Sequence, residues 1–377
     1  MHEGAISSNE IEQMPAKKVS QEDLLAHYLA LDPTGEYFLQ NGITWSSVLD
    51  EPVGTVILCE DISMERLLGE RPDVPKVDPD YVPLKDQVDG INIALQTRNN
   101  FALSGPPGSS KTSVIEYTCA VTNRPFYVAD LHEDYRPEVL RGHTIATRER
   151  TTKFVDGPIT KAMSNPGAVF LADEANLAPP GTLAAMHRPL AGYEIYLEED
   201  GNRMVEMSRG VTMCVACNAL NSTDDAHLYS GIQRMNIAFL DRLGVTINTS
   251  YPEPNVELDI VWKSIARHFD ISGLSPATQI HTKDVVSKMI KSANSIRDHV
   301  LRGAVETSFS IRKTITWAKT YIQTNSLQKS TLLAVLNAQD KNEAAMLETC
   351  IKGAFGNDYT NQCVETFSSL ENDKDTL

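Results

Sequence analysis

The sequence predicts an α/β fold in which helices cover both faces of a mostly parallel sheet, followed by a separate helical domain. Five short apolar runs, each about strand length, alternate with helical patterns: NFALSG, PFYVAD, GAVFLADE, VTMCVACN and GVTINTS. Strands that alternate with helices favour a parallel sheet. A glycine-rich loop follows the first run, where ligands of such sheets bind. After residue 254 the apolar residues recur at helical spacing.

The elements between and after these strands are also readable. The stretches KTSVIEYTCAV and PPGTLAAMHRPL have helical patterns. Two polar stretches, RGHTIATRERTTKFVDGP and YEIYLEEDGNRMVEMS, interrupt the alternation, and the second contains the hairpin turn signal Asp200-Gly201. We predict that both are β-hairpins inserted between core elements.

The same patterns predict domain boundaries. The segment VPKVDPDYVPL, with its three prolines, is expected to be an extended entry into the α/β domain. We predict a flexible N-terminus at 1–20, a small N-terminal module at 21–73, the α/β domain at 74–252, the helical domain at 253–366, and a flexible tail at 367–377.

Composition narrows the class of protein. The chain has 377 residues and a net charge of −16, which argues against coating of nucleic acid through a broad basic face, despite Arg148, Arg150 and Lys153 in the first insert. No apolar run of 18 residues occurs, and the polar start MHEGAISSNEIEQ has no signal-peptide core. We therefore expect a cytoplasmic protein without a membrane segment. Cys214 and Cys217 lie in an apolar run and are expected to be buried strand residues rather than metal ligands.

The loop after the first strand resembles a phosphate-binding P-loop, G-x-x-x-x-G-K-[ST]. Such a loop wraps phosphates with backbone N–H groups, while its lysine reaches the outer phosphates and its hydroxyl ligates Mg²⁺. The predicted ATP-binding residues are Gly105, Pro106, Pro107, Gly108, Ser109, Ser110, Lys111, Thr112 and Ser113.

Ser110 departs from the P-loop pattern, which has glycine at that position. Its Cβ would lie close to the phosphates. Because the position directly precedes a helix, we expect Ser110 to adopt right-handed backbone angles that any residue tolerates. The site is then predicted to be an active ATPase.

Two carboxylates and an amide follow at the ends of later strands. Asp173 is expected to hold Mg²⁺ together with Thr112, and Glu174 to orient and deprotonate the attacking water. The alternative is an acidic helix cap or surface turn. Asn218 ends the next strand and is expected to hold the water or the γ-phosphate; a turn-forming asparagine is its alternative.

Three arginines are candidates for contact with the γ-phosphate. Arg242 is expected to begin the fifth strand and to act in trans on a neighbouring subunit, with an ion pair to Asp241 as the alternative. Arg234 is the second choice for this role. Arg312 lies on a predicted helix of the C-terminal domain and could swing onto the phosphates, although surface arginines are common on helices.

The order of these motifs resembles the AAA+ ATPases of the MoxR-like, dynein-related group, and most of all the ATPase small subunits of aerobic cobaltochelatases. The similar stretches include VPKVDPDY, LHEDYRPEVLRG, HLYSGIQRMNIAFLDRLG, SYPEPNVELDIV, FSIRKTITWA and LNAQDKNEAAMLETCIKGAFGND, within about residues 74–358. Residues 1–72 have no counterpart. The resemblance implies two hairpin inserts, a helical lid, Mg²⁺-dependent ATP hydrolysis, a usually hexameric homo-oligomeric ring, and a partner with a von Willebrand A-type metal-binding domain.

The leading hypothesis is therefore an ATPase ring subunit that remodels a partner. In the cobaltochelatase version it drives cobalt insertion into a corrin precursor, a substrate that only the resemblance implies. A MoxR-like chaperone or motor for an unrelated client is the second hypothesis. A nucleotide-binding scaffold with weak or no hydrolysis is the third, and a nucleic-acid translocase comes last because of the acidic composition.

Overall fold

The computed structural model describes residues 73–360, with gaps at 77, 79–80, 123, 149 and 219–234, and three short strands nearer the N-terminus. The predicted segments 1–20 and 367–377 lie outside the described residues. The chain divides into two compact units, one comprising residues 1–105 and 110–249 and the other residues 106–109 and 250–377. The domain boundaries drawn from the sequence stay predictions.

The described part of the first unit contains twelve strands. They are β1 Tyr37–Leu39, β2 Ile43–Trp45, β3 Thr55–Val56, β4 Phe101–Ser104, β5 Phe126–Asp130, β6 Gly142–Ala146, β7 Thr152–Asp156, β8 Val169–Asp173, β9 Ile195–Leu197, β10 Arg203–Val205, β11 Thr212–Cys217 and β12 Val245–Asn248. The first three form an antiparallel sheet in the order β1-β2-β3.

The core sheet consists of the five strands predicted from the apolar runs. All pairings are parallel, and the order is β12-β4-β11-β8-β5. The register places Ser104 beside Cys217 and Asp130 beside Asp173, so these strands end at one edge of the sheet. This edge carries the side chains of the candidate site.

Helices cover both faces of this sheet. Those in the first unit are α1 Lys85–Gln96, α2 Lys111–Val121, α3 Pro137–Arg141, α4 Pro158–Met163, α5 Pro180–Ala185, α6 His187–Leu190 and α7 Ile237–Leu240. Alternate residues of β8 belong to different cores: Val169 and Leu171 pack with α1 and α2, whereas Phe170 and Ala172 pack with α4 and α5. The predicted α/β fold is therefore confirmed. Cys214 and Cys217 are fully buried in β11, as expected of core strand residues.

Both predicted inserts are β-hairpins. β6 pairs antiparallel with β7, and β9 with β10, where Gly201 takes the left-handed turn position at φ +64°. Arg203 of β10 connects the two hairpins, because it pairs with Asp156 of β7 and packs 5.8 Å from the ring centroid of Phe154. It also pairs with Asp200 in its own hairpin (2.5 Å).

The second unit is helical, as predicted. Its helices are α8 Pro254–Ala266, α9 Pro276–Leu301, α10 Ile311–Thr324, α11 Leu327–Thr331 and α12 Lys341–Phe355, with a π-helical turn at Leu332–Leu336. The side chains of Ser275, Ser310 and Asp340 accept N-cap hydrogen bonds that begin α9, α10 and α12. Trp317 and Tyr321 of α10 lie in the hydrophobic core of this helical unit. Within the described ranges, no helix has the length and apolar character needed to cross a membrane.

Candidate nucleotide-binding site

The candidate phosphate-binding loop connects β4 to α2 in the first unit. Gly105 is required by a close approach, since a Cβ at this position would lie 2.2 Å from the carbonyl oxygen of Thr249. The N–H of Gly105 donates to the carbonyl of Cys217 (3.2 Å), which fixes the start of the loop to the end of β11. Lys111 begins α2, so the loop leads into a helix N-terminus, which favours anions.

The loop tip, Pro106 to Ser109, belongs to the second unit. Gly108 has φ +72°, and a Cβ there would lie 2.5 Å from the Cβ of Ser310. The hydroxyl of Tyr251 donates to the carbonyl of Pro107 (2.8 Å). Ser109 is buried, and its N–H donates to the carbonyl of Pro106 (3.3 Å). The tip therefore has a defined conformation in which two residues of the helical unit take part.

Ser110 does not have the backbone conformation expected from the sequence. It is left-handed, with φ 65° and ψ 25°, so the expectation of right-handed angles is wrong. The glycine of the P-loop pattern is explained by this conformation, since glycine adopts it without steric penalty. The serine side chain makes no capping hydrogen bond to α2 that would compensate.

Lys111 and Thr112 connect the loop to the later strands. The Lys111 side chain is buried, and its ammonium donates to the carbonyl of Gly105 (2.8 Å) and to Oδ1 of Asn218 (3.0 Å). The Thr112 hydroxyl donates to Oδ2 of Asp173 (2.5 Å). Ser113 follows in the first turn of α2 and is partly buried.

Glu174 completes a hydrogen-bonded chain across the strand ends. The Asn218 amide donates to its Oε2 (3.2 Å), so the order of contacts is Lys111, Asn218, Glu174. Burial is the main cause that raises the pKa of the Glu174 carboxyl, with Asp173 adding to the rise and Lys111 opposing it. Glu174 is left-handed at φ 52°, and its N–H donates to Oδ1 of Asp173 (2.9 Å).

The structure places the predicted arginines at different points. Arg242 follows α7 and donates to the carbonyl of Ala238, and the fifth strand begins only at Val245, so the expected position at the strand start is wrong. Arg312 is exposed in the first turn of α10, two residues after Ser310. Arg234 lies outside the described residues.

Three residues near the site were given no role by the sequence, although Tyr251 and Ser310 lie in stretches that carry the family resemblance. Tyr251 and Ser310 contact the loop tip. Asn176, two residues after Glu174, is 1% exposed, and both polar atoms of its amide are buried without a hydrogen-bond partner. The LADEAN segment marks this asparagine only by its proximity to the carboxylates.

The donor set fits a nucleotide with Mg²⁺. A hydroxyl and a carboxylate, from Thr112 and Asp173, are the hard oxygen ligands that Mg²⁺ prefers, and this ion commonly takes only one or two protein ligands beside phosphate oxygens. Among the described residues there is no cluster of three or more His, Cys, Asp or Glu side chains for an all-protein metal site. Gly105 and Gly108 have no room for side chains, because Thr249 and Ser310 pack against them, so only glycine fits at these two loop positions.

Comparison with known proteins agrees with this geometry. Residues 100–243 match the AAA domain of the dynein-related subfamily. The chain is 24% identical over 286 residues to the aerobic cobaltochelatase subunit CobS of Sinorhizobium sp., which is 75% of this chain and 83% of that protein. It is 31% identical over 129 residues to the uncharacterized protein YojN of Bacillus subtilis, covering 33% of this chain and 42% of that one.

A solved structure of a RuvB mutant from Thermotoga maritima is 11% identical, with a TM-score of 0.42, and the match covers 70% of this chain and 73% of that one.

The match to the dynein-related AAA domain contains β4, the P-loop residues from Gly105 onward, Asp173, Glu174, Asn218 and Arg242. Over residues 100–243 the chain is therefore similar to an AAA domain of the dynein-related subfamily, and the site residues named above lie within this match.

Proposed function

We propose that this chain hydrolyses ATP with Mg²⁺ at the edge of the sheet where β4, β8 and β11 end. The observation that carries the proposal is the pair of linked contacts, Lys111 to Asn218 to Glu174 and Thr112 to Asp173. They gather a cation, a hydroxyl, an amide and two carboxylates, which are the groups that phosphoryl transfer to water requires.

Each residue has a role in this proposal. The loop from Gly105 to Ser113 binds the phosphates through the N–H groups that follow Pro107, and Lys111 moves from its contacts with Gly105 and Asn218 onto the outer phosphates. Thr112 and Asp173 would hold Mg²⁺, which supplies charge neutralisation on the phosphate oxygens.

Glu174 takes a proton from the attacking water. Its raised pKa, due mainly to burial, suits a general base because it strengthens the affinity for that proton. Asn218 holds the Glu174 carboxylate and, once Lys111 has moved, can turn toward the γ-phosphate. Its neutral amide adds no negative charge to a site that already contains two carboxylates.

We further propose that the active site is completed by assembly into a ring, with hexamers expected from the family resemblance. Arg242 is partly exposed, and the described hydrogen bond of its side chain is a local one to the carbonyl of Ala238, so we assign it to act in trans on a neighbour's γ-phosphate. Arg312 would act from the first turn of α10. The similarity to CobS supports a further proposal, cobalt insertion into a corrin precursor with a partner that carries a von Willebrand A-type domain.

Two substitutions test the ATPase proposal by separating binding from turnover. Glu174→Gln should bind ATP normally and lose at least ~10²-fold in turnover, the usual scale for a general base. Lys111→Ala should weaken ATP binding itself. Glu116→Gln makes the same chemical change on the exposed face of α2 and should leave both values unchanged. Normal turnover of Glu174→Gln, or normal affinity of Lys111→Ala, would contradict the assignment; binding without any wild-type turnover would indicate the scaffold hypothesis instead.

A further inference from the structure

The most heavily buried ion pair of the helical unit, among its described residues, lies between α8 and α9. Glu257 is 0% exposed and Arg297 is 7% exposed, and they form a bidentate pair with N–O distances of 2.6 and 2.8 Å. Thr314 of α10 donates a further hydrogen bond to Oε1 of Glu257 (3.2 Å). One carboxylate therefore connects three helices of this unit.

The Arg297 guanidinium uses four of its five N–H groups in this environment. Two go to Glu257, Nη1 also donates to Oδ1 of Asn294 (2.7 Å), and Nε donates to the carbonyl of Phe309 (2.8 Å). A planar group bonded to three partner residues through four N–H groups resists rotation and tilting, because the partners lie on different sides of the guanidinium. Its plane is therefore a fixed surface inside the unit.

Two contacts lead from this guanidinium to the tip of the phosphate-binding loop. Tyr251 lies on its face, with the Cζ of Arg297 3.9 Å from the ring centroid, and the Tyr251 hydroxyl donates to the carbonyl of Pro107. Arg297 also holds the carbonyl of Phe309, and the next residue, Ser310, packs against Gly108. Two consecutive loop residues are thus positioned from one buried cation.

Stability alone gives a poor reason for this pair. Burying two charges is expensive, and replacing such a pair by apolar side chains of similar volume is often neutral or stabilising. What apolar side chains cannot reproduce is a fixed fork with an aromatic ring on its face. We propose that Arg297, held by Glu257, is a positioning residue for the phosphate-binding loop, acting through Tyr251 on Pro107 and through Phe309 on Ser310 and Gly108.

The inference rests on the proposed function, since it concerns the same loop. The prolines at 106 and 107 have no N–H to offer a phosphate, so the donors of the tip are the N–H groups that follow, beginning with Gly108. The Tyr251 hydroxyl holds the Pro107 carbonyl, and Ser310 packs against Gly108. Together these contacts set the direction of the N–H donors. Without Arg297, ATP would have to order the loop as it binds, which weakens affinity.

The first test removes the hydroxyl that links Tyr251 to the loop. Tyr251→Phe keeps the ring on Arg297 but loses the hydroxyl that donates to Pro107. The matched control is Tyr359→Phe, the same change on a residue of the same unit that does not contact the loop in the contacts described. Without nucleotide, hydrogen exchange of peptides covering Gly108 to Ser110 should be about fivefold faster in Tyr251→Phe, the equivalent of one ordinary hydrogen bond, and unchanged in the control.

The second test replaces the pair itself. Arg297→Met with Glu257→Leu removes both charges together, whereas Arg297→Met alone leaves Glu257 as an unpaired buried charge and is expected to unfold more readily. The double variant should fold and exchange its loop amides faster. Its KM for ATP should rise about tenfold while kcat changes less than about threefold, because the free energy of ordering the loop then reduces the affinity for ATP. Arg297→Lys keeps the charge but not the fork, so it should not restore the affinity.

The outcomes distinguish this inference from the proposed function. If wild-type protein neither binds nor hydrolyses ATP, the proposed function fails, and the exchange measurement still decides the positioning role. If ATP is hydrolysed but Tyr251→Phe and the double variant match wild type in loop exchange and KM, Arg297 is merely structural and the inference is overturned. Faster exchange confined to Tyr251→Phe and the pair variants, and absent from Tyr359→Phe, supports it.

Discussion

The left-handed backbone of Ser110 predicts that Ser110→Gly, which removes only a methylene and a hydroxyl, stabilises the protein. At φ 65° and ψ 25° the residue is left-handed, a conformation that costs a non-glycine residue roughly 1–2 kcal/mol. Ser110→Gly removes this strain, but glycine gives back roughly 0.5–1 kcal/mol through the freedom of the unfolded chain. The net gain in the free energy of unfolding should therefore lie between about 0 and 1.5 kcal/mol.

The same substitution should preserve or raise ATPase activity. If forming the loop contributes to ATP binding, about 1 kcal/mol corresponds to roughly a fivefold gain in affinity. The substitution removes no capping hydrogen bond, because the serine side chain does not cap α2. The assays are urea unfolding, ATP affinity by fluorescence titration, and steady-state phosphate release.

Ser110→Ala is the matched control. Alanine removes the hydroxyl and keeps the Cβ, so it retains the left-handed strain and should show no gain in stability or affinity. A gain in Ser110→Ala equal to that in Ser110→Gly would refute the reasoning from strain. A clearly slower Ser110→Gly would show instead that the serine is a functional adaptation of this loop.

Three further predictions concern neighbouring groups. Gly108→Ala would place a Cβ 2.5 Å from the Cβ of Ser310, on a backbone with φ +72°, so a titration should show strongly reduced ATP affinity. The control Gly181→Ala adds a Cβ in open space and should bind ATP normally; equal affinities of the two variants would contradict the loop geometry. Asn218→Asp can still accept from Lys111 but cannot donate to Glu174, so phosphate release should slow at least ~10-fold, and a wild-type rate would exclude the amide from the site. Arg242→Ala should bind ATP normally and lose ~10³–10⁵-fold in turnover. Mixed rings of Arg242→Ala and Glu174→Gln subunits should regain part of the activity, because some sites then combine an intact Glu174 with a neighbour's intact Arg242. Mixed rings without activity would show that both residues act within one subunit.

The fold was predictable because its signals are local. Each core strand is a short apolar run bounded by turn residues, and the hydrophobic pattern places alternate side chains in two cores. α2 spans Lys111–Val121, the stretch predicted to be helical, and both hairpins lie where polar stretches interrupt the alternation. Carboxyl ends of parallel strands meet at one edge, so the order of apolar runs predicts that the carboxylates after β8 lie on the same edge as the P-loop after β4.

What the sequence could not provide depends on distant residues. The contact between Pro107 and Tyr251 joins positions 144 residues apart, and neither residue belongs to a motif that names its partner. The buried pair of Glu257 and Arg297 looks in the sequence like two ordinary helix charges. The backbone of Ser110 was predicted incorrectly because the handedness of a single residue before a helix is set by the whole loop, not by its neighbours.

The two left-handed non-glycine residues at the site have different physical justifications. In a regular strand, consecutive side chains point to opposite faces, so Asp173 and Glu174 could not both serve one site. The left-handed turn at Glu174 breaks that alternation: Asp173 bonds to Thr112, while Glu174 bonds to Asn218 and through it approaches Lys111, the neighbour of Thr112. Strain at Glu174 is thus inseparable from its carboxylate, whereas Ser110 offers the proposed chemistry only its backbone N–H, which glycine also has, and its side chain has no role there. Relieving the second should therefore be harmless, and relieving the first should abolish turnover.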